Sequence, residues 1–104
     1  MIELVTVKFV DQIGFTGEEC VWVNDHVCIP IAFPKTIIEI GACKFVVNVR
    51  FVSEWNGFPI LYVKSLYRLQ TDEVEKNCED LDLAGFRRIP GITKFDLEML
   101  RTDP

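Results

Sequence analysis

The sequence predicts an α+β fold in which five to six mostly antiparallel strands come first and two short helices follow. Three observations predict it. Apolar and polar residues alternate in runs through residues 2–69, which is the pattern of half-buried strands. The dipeptide Asn56-Gly57 separates the two longest runs and favours a tight hairpin turn, because both residues tolerate positive φ. After residue 69 helical spacing replaces the alternation, and strands followed by helices are typical of α+β domains.

The hairpin is predicted to span residues 43–69 and to form the core of the fold. Its first strand is expected over Cys43–Val52 and its return strand over Phe58–Leu69, with Leu61, Val63, Tyr67 and Leu69 in one register. The predicted apolar face of the first strand consists of Cys43, Phe45, Val47, Val49 and Phe51. The predicted opposite face consists of Lys44, Val46, Asn48, Arg50 and Val52. We therefore expect Phe45, Val47, Val49 and Phe51 to be buried.

Three strands are predicted before residue 34. Ile2–Val10 alternates, with Val5, Val7 and Phe9 on one side. Cys20–Val23 and His26–Phe33 are shorter, and Asn24-Asp25 is predicted to be the tight turn between them. Pro30 has no backbone N–H to donate, which indicates an edge or a bulge in its strand.

One more short strand is expected before the hairpin, over Thr36–Ile40, with Gly41 and Ala42 as a bend or bulge. Pro59 is expected to face solvent or to begin the return strand. Strands of this number and length form either an open sheet with one face covered by helices or a small, partly open barrel.

Two helices are predicted after residue 70. Asp72 with Glu75 three residues later resembles a capping box, and it predicts a short acidic helix over Glu73–Leu81. Leu83–Ile89 is expected to be irregular, and Pro90-Gly91 to be a turn.

The second helix is expected over Lys94–Arg101, with Thr93 as its N-cap. Phe95 and Met99 are four residues apart, so their side chains share one helix face. We expect that face to pack on the sheet.

Length and composition indicate a single globular domain over residues 1–104, β-rich over 1–69 and helical over 70–104. The 104 residues are 49% hydrophobic and 26% charged, which is ordinary for a folded domain. No apolar run approaches the roughly twenty residues of a membrane-spanning helix. No signal peptide is evident, which favours a cytoplasmic protein with reduced cysteines and no membrane partner.

The net charge of −5 is unevenly distributed. Residues 1–34 and 70–104 each carry a net charge of −4, whereas residues 35–69 carry +3. The hairpin is therefore locally basic in an acidic protein. The overall charge opposes nonspecific binding to nucleic acid or to an anionic membrane.

Metal binding and cofactor binding are not expected. The residues available to zinc are Cys20, His26, Cys28 and Cys43, and their spacing matches no strong zinc motif. The four cysteines include Cys78 and are best interpreted as reduced thiols. We therefore expect no metal and no cofactor.

Catalysis is not expected either. Asp25 and His26 are adjacent, so in an extended strand their side chains point to opposite faces, which is poor geometry for a catalytic triad. The sequence also lacks a nucleophile elbow and a glycine-rich phosphate loop.

These exclusions leave an interaction protein, such as an inhibitor, adaptor or subunit of the kind that phages and mobile elements encode. It is expected to contact a protein partner through an acidic surface or a sheet edge. The predicted acidic surface consists of Asp72, Glu73, Glu75, Glu79, Asp80 and Asp82. An open edge also predicts a homodimer. The alternative is nucleic-acid binding on the basic face of the hairpin. That face is predicted to comprise Lys44, Asn48, Arg50, Tyr62, Lys64 and Arg68, with Arg87 and Arg88 in the loop beyond.

Overall fold

The computed structural model describes residues 2–11, 20–41, 43–52, 57–65 and 74–101. This part of the chain contains six strands and two helices. In chain order they are β1 (Ile2–Asp11), β2 (Cys20–Pro30), β3 (Ile37–Ile40), β4 (Cys43–Val52), β5 (Pro59–Ser65), α1 (Val74–Leu83), β6 (Arg87–Pro90) and α2 (Lys94–Arg101). Neither described helix has the length or the apolar content to cross a membrane.

The six strands form one curled, open half-barrel sheet in the order β3-β4-β5-β1-β2-β6. All neighbours pair antiparallel except β1 and β5, which are parallel. The predicted α+β class and the predicted number and direction of strands are confirmed. A curled, open half-barrel combines the two predicted alternatives, the open sheet and the small, partly open barrel.

Both faces of the sheet are covered, because the two helices lie on opposite faces. The α1 face holds the larger core, which includes Val5, Val7, Phe9, Trp22, Phe45, Val47, Leu61, Val63, Leu81 and Phe86. The α2 face holds a smaller cluster of Val21, Val23 and Tyr62, with Val49, Ile60, Ile92 and Met99 packed around it. In the open-sheet alternative both helices would cover one face, whereas in the structure they lie on opposite faces.

A β-bulge in β4 changes the predicted faces of the hairpin. Val47 pairs with Val63, but Val49 pairs with Tyr62, so Asn48 is an extra residue. Phe45 and Val47 are buried as predicted. Beyond the bulge the alternation is reversed, so Val49 and Phe51 lie half-buried on the α2 face. By the same shift, Arg50 lies opposite Leu61 on the α1 face, which the sequence pattern predicted wrongly.

A second bulge explains why the predicted turn at Asn24-Asp25 is wrong. Cys20–Pro30 is one continuous strand, and its register with β1 shifts between Val5 and Val7. His26 takes a positive φ of 64° at this bulge. Asn24 and Asp25, the polar residues that suggested a turn, lie instead at a β-bulge within one strand. Pro30 pairs with Ile2 at the end of β2, beyond the reach of β6.

The C-terminal segment contains a strand that the sequence did not reveal. Arg87–Pro90 forms β6, inside the segment predicted to be irregular, and pairs with residues 20–23 of β2. The N-cap of α2 is confirmed, because the Asp96 N–H donates to the Thr93 hydroxyl at 3.1 Å. Phe95 and Met99 pack on the sheet as expected.

Other predicted features lie outside the described residues. They are Asn56 of the hairpin turn, Tyr67 and Leu69 of the return strand, Ala42 of the bend, and the helix start at Asp72 and Glu73.

Candidate protein-binding edge

The sheet has two edge strands, β3 and β6, and no described strand pairs with the outer side of either. At β3 the inner side is occupied by β4, since the Val47 N–H donates to the Thr36 carbonyl at 2.8 Å. Backbone groups alternate in direction along a strand. The N–H and C=O groups of Ile37 and Glu39 therefore point away from β4, towards the open side.

Side chains alternate along β3 in the same way. Ile38 and Ile40 are buried on the α1 face, whereas Ile37 and Glu39 are exposed. Ile37 is 57% exposed, and Phe33, just before the strand, is 60% exposed. We call Phe33, Ile37, Glu39 and the outer backbone of β3 the β3 edge. Within the described parts of the chain, the outer backbone groups of this edge have no strand partner, and two large apolar side chains are exposed along it, a composition typical of an interaction site.

The turn that leads into β3 is strained. The Thr36 N–H donates to the Phe33 carbonyl at 3.0 Å, which closes a four-residue turn with Pro34 and Lys35 at its centre. Lys35 has a φ of +77°, a value that costs a residue with a Cβ about 1–2 kcal/mol. The Lys35 N–H donates to the Val47 carbonyl at 2.8 Å, so β4 holds the turn in place.

The Phe33 ring packs against Arg50, which forms an ion pair with Glu3. The guanidinium carbon of Arg50 lies 5.4 Å from the centre of the Phe33 ring. Arg50 donates from both terminal nitrogens to the Glu3 carboxylate, with 2.8 Å between Nη2 and Oε2, and also to the Ala32 carbonyl at 3.3 Å. This hydrogen bonding lowers the pKa of Glu3 and raises the pKa of Arg50. The Phe33 ring therefore packs against a guanidinium that Glu3 holds in place.

The β6 edge has a different character. It is four residues long and contains Arg87, Arg88 and Pro90. Arg87 Nη2 lies 2.6 Å from Asp25 Oδ2, so an ion pair ties the strand to the bulge of β2. Charged residues and proline on a short edge strand oppose pairing with another chain. The two edges of one sheet are therefore unequal.

The α2 face is closed by hydrogen bonds between the sheet and α2. The Tyr62 hydroxyl donates to Asp96 at 2.8 Å, and Lys8 Nζ lies 3.8 Å from the same carboxylate. Burial, with a further contribution from Asp96, raises the pKa of Tyr62. The Asn48 amide donates to the Met99 carbonyl at 3.0 Å, and this hydrogen bond joins the β4 bulge to the C-terminal part of α2.

The residues predicted to bind nucleic acid do not form one open face. Asn48 and Tyr62 are buried under α2, and Arg50 lies on the α1 face. Lys44 pairs with Glu39 at 3.2 Å, and Lys64 is exposed. Arg68 lies outside the described residues. Arg87 and Arg88 are in β6 rather than in a loop.

The predicted acidic residues are partly described. Glu79 and Asp82 are exposed on α1, and Asp80 is half-buried beside Cys43, whose thiol has a pKa raised by burial and by that carboxylate. Glu75 lies in the first turn of α1, whereas Asp72 and Glu73 lie outside the described residues. Leu83, at the end of the helix, is 80% exposed.

The described residues contain no group of three or more His, Cys, Asp or Glu side chains that could hold a metal ion. His26 and Cys28 are exposed and Cys43 is half-buried, and both of these cysteines are free thiols. The side chain of Cys20 and residues 12–19 are outside this description.

Sequence reasoning overlooked two residues of this site, Glu3 and Phe33. Glu3 reaches Arg50 across 47 positions of sequence, so no local pattern reveals the pair. The signal for Phe33 was the run Ile31-Ala32-Phe33-Pro34, an apolar stretch that a proline ends before a full strand can form.

Comparisons of the chain with protein-family models, with curated proteins and with solved structures find no match.

Proposed function

We propose that this protein is a non-catalytic binding protein that takes an extended segment of a protein partner onto the β3 edge. The observation that supports the proposal best is the inequality of the two edges. β6 carries two arginines and a proline, whereas β3 exposes Ile37 and outward backbone groups. A strand added to an open edge gains affinity from main-chain hydrogen bonds and specificity from alternate side chains.

The acidic surface adjoins this edge and is a second element of the proposal. A side chain at Gly41, in the β3–β4 turn, would come within 3.1 Å of the Ala84 Cβ, so the end of α1 lies against that turn. Glu79, Asp82 and Leu83 are exposed on this helix. A partner with basic residues beside its extended segment fits both elements, because exposed carboxylates steer association with a basic surface.

Nucleic-acid binding is the weaker candidate. On the predicted hairpin face, the described residues with exposed cationic groups are Lys44 and Lys64, and Lys44 already pairs with Glu39. Arg87 and Arg88 are exposed on β6, at the other edge of the sheet from β3, and Arg87 pairs with Asp25. A phosphate-binding surface needs several cations in one groove.

We also propose a cytoplasmic location, since the free thiols of Cys28 and Cys43 suit a reducing compartment.

The test compares two matched substitutions, one on each edge. Wild type, Ile37→Lys and Ile89→Lys are immobilised, exposed to a lysate of the native host, and the retained proteins are identified by mass spectrometry. Both isoleucines are exposed in edge strands, so both variants should fold, which a melting curve verifies. We expect proteins retained by wild type and by Ile89→Lys to be lost with Ile37→Lys. Equal retention by all three would contradict binding at the β3 edge.

A further double variant, Glu79→Lys with Asp82→Lys, tests the acidic element. Exposed helix charges contribute only tenths of a kcal/mol each to folding, so this protein should stay folded. We expect the variant to retain less partner than wild type, and we expect retention by wild type to decrease as salt is added, because salt screens the attraction between the carboxylates and a basic partner. Unchanged retention would limit the proposal to the β3 edge alone.

A further inference from the structure

We infer that the β3 edge binds an antiparallel segment of a partner protein, with basic residues at the Ile40 end of β3 and apolar residues at the Phe33 end. The Ile40 end is where β3 turns into β4, and the Phe33 end is where the chain enters β3. The inference rests on the proposed function and names the direction and the sequence pattern of the partner segment. It follows from the difference in charge between the two ends of the edge.

The Ile40 end of the edge is acidic, because the end of α1 lies against the β3–β4 turn. Burial and the half-buried Asp80 carboxylate raise the pKa of Cys43, which is the residue opposite Ile40. Glu79 and Asp82, on either side of Asp80 in sequence, are exposed. The last turn of α1 contains no basic residue, so the negative end of the helix dipole adds to these charges. Basic partner residues are therefore attracted to this end.

The Phe33 end of the edge is apolar. Phe33 is 60% exposed, and Ile31 is 37% exposed. The charged groups described at this end are Lys35, which is exposed, and the ion pair between Arg50 and Glu3, whose charges cancel. A basic partner residue is repelled here, whereas an apolar partner residue removes exposed apolar surface from water.

The backbone of β3 favours an antiparallel segment. Ile37 and Glu39 direct their N–H and C=O groups outward, since the Thr36 carbonyl is bonded inward to Val47. In an antiparallel pair, opposite residues that both point towards the other strand exchange two hydrogen bonds, and this pairing is slightly more stable than parallel pairing. Lys44 lies 3.2 Å from the Glu39 carboxylate and balances its charge, so the ends of the edge, and not its middle, orient the segment.

Strand geometry converts this arrangement into a sequence pattern. Residues opposite each other in a sheet direct their side chains to the same face, and Ile40 lies on the α1 face whereas Ile37 does not. In an antiparallel segment, the residue opposite Ile40 comes three positions before the residue opposite Ile37. The positions three and five before the latter therefore point towards α1 and are expected to be basic. The residue opposite Ile37 and those that follow it towards Phe33 are expected to be apolar.

Two synthetic peptides test the inference by titration into the full chain, followed by backbone amide NMR. The first is Lys-Thr-Lys-Thr-Thr-Val-Val, and the second has the reverse order. Both have blocked termini, so their composition and charge are equal. We expect the first peptide to bind roughly three- to tenfold more tightly, because two exposed ion pairs are gained, with the largest amide shifts in β3. Equal binding, tighter binding of the second peptide, or binding of neither at millimolar concentration would overturn the inference.

Matched variants separate strand addition from charge. Ile37→Lys should lose both peptides, and Ile89→Lys should bind like wild type. Glu79→Lys with Asp82→Lys should lose the preference for the first peptide, and a preference that survives would overturn the role of the acidic end. Methylation of the first valine's amide nitrogen should abolish binding, because it removes the hydrogen bond to the Ile37 carbonyl.

The peptides and the host lysate test different statements. If host proteins are retained by wild type and lost with Ile37→Lys, the proposed function stands. If the two peptides then bind equally, the direction and the pattern of the partner segment are wrong although the edge binds proteins.

Discussion

The two edge strands of the sheet have the same length and each exposes an isoleucine, but they differ in the charge and proline content that governs pairing with another chain. β6 presents Arg87, Arg88 and Pro90, and an ion pair with Asp25 fixes it to β2. β3 presents Ile37 at 57% exposure, with Glu39 as its exposed charge. Both strands belong to one sheet, so the difference does not arise from topology. It shows that protection against edge pairing is built residue by residue, and that β3 lacks most of it.

The turns that lead into the two edges differ in the same direction. Gly85 precedes β6 and takes a φ of +96° without steric cost. Lys35 precedes β3 and takes a φ of +77° although it carries a side chain. Backbone strain of this kind persists where the surrounding structure over-determines it, and it is more common at functional sites than elsewhere. The strain therefore lies beside the edge that we propose to bind.

The largest expected loss of stability comes from a substitution in the core that supports both edge strands. The Phe45 ring lies 5.6 Å from Phe9 and 5.6 Å from Phe86, the residue before β6, while its backbone pairs with Ile38 of β3. Phe45→Ala should lower the free energy of unfolding by about 3–5 kcal/mol. Denaturant titration measures the loss, and amide hydrogen exchange should accelerate in β3 and β6 alike.

The control for this prediction is Phe58→Ala, at a phenylalanine that is 48% exposed. Its cost should be well below that of Phe45→Ala, since less apolar surface is lost from the interior. Exchange that accelerates in one edge strand only would show that the two edges do not share a core.

The second largest effect is expected from Glu3→Gln, which should destabilise only the side of the sheet that contains β3. Glu3→Gln keeps the shape of the side chain but removes the charge that Arg50 binds beneath Phe33. We expect a loss of about 2 kcal/mol at neutral pH, because hydrogen bonds to charged groups contribute about that much. Amide exchange near Phe33 should accelerate, and exchange in β6 should not.

The stability difference between wild type and Glu3→Gln should decrease as the pH falls. The pKa of Glu3 is lowered in the folded protein from 4.5, so the pair contributes its full stability above that value. The contribution disappears as the pH falls through the lowered pKa. Wild type and Glu3→Gln should therefore converge in acid, and a constant difference across that range would show that Gln at this position disturbs packing instead.

A smaller effect is expected at a site that serves neither edge. Tyr62→Phe removes the hydrogen bond to Asp96 under α2 and should cost about 1 kcal/mol at neutral pH. The folded pKa of Tyr62 is raised above 10.0, so wild type loses stability as the pH rises past that value and the unfolded phenol ionises. The variant escapes this loss, and the difference should shrink in alkali. Denaturation at neutral and alkaline pH measures it, and a growing difference would contradict the burial of the phenol.

The sequence predicted the fold class and most strands, because alternation and turn residues are local signals. It failed where one residue changes a register. Asn48 is an ordinary polar position in an alternating run, and its hydrogen bond to Met99, 51 residues later, is a contact that no local pattern contains. Arg50 was therefore placed on the wrong face. The sheet edge was predicted as a site, but strand order decides which strand is the edge, and no local pattern contains strand order.

The smallest effect isolates the turn before β3. Lys35→Gly should raise the free energy of unfolding by about 0.5–1 kcal/mol, because glycine accepts a φ of +77° and this gain exceeds its greater flexibility when unfolded. Lys35→Ala is the matched control, since it also removes the charge but keeps a Cβ, and it should leave stability nearly unchanged. Thermal melts of the three proteins measure the difference. An equal gain in both variants would assign the cost to the charge and not to the backbone. If the gain appears with glycine alone, the two edges differ in their backbones as well as in their side chains, since the turn before β6 already has a glycine in this conformation.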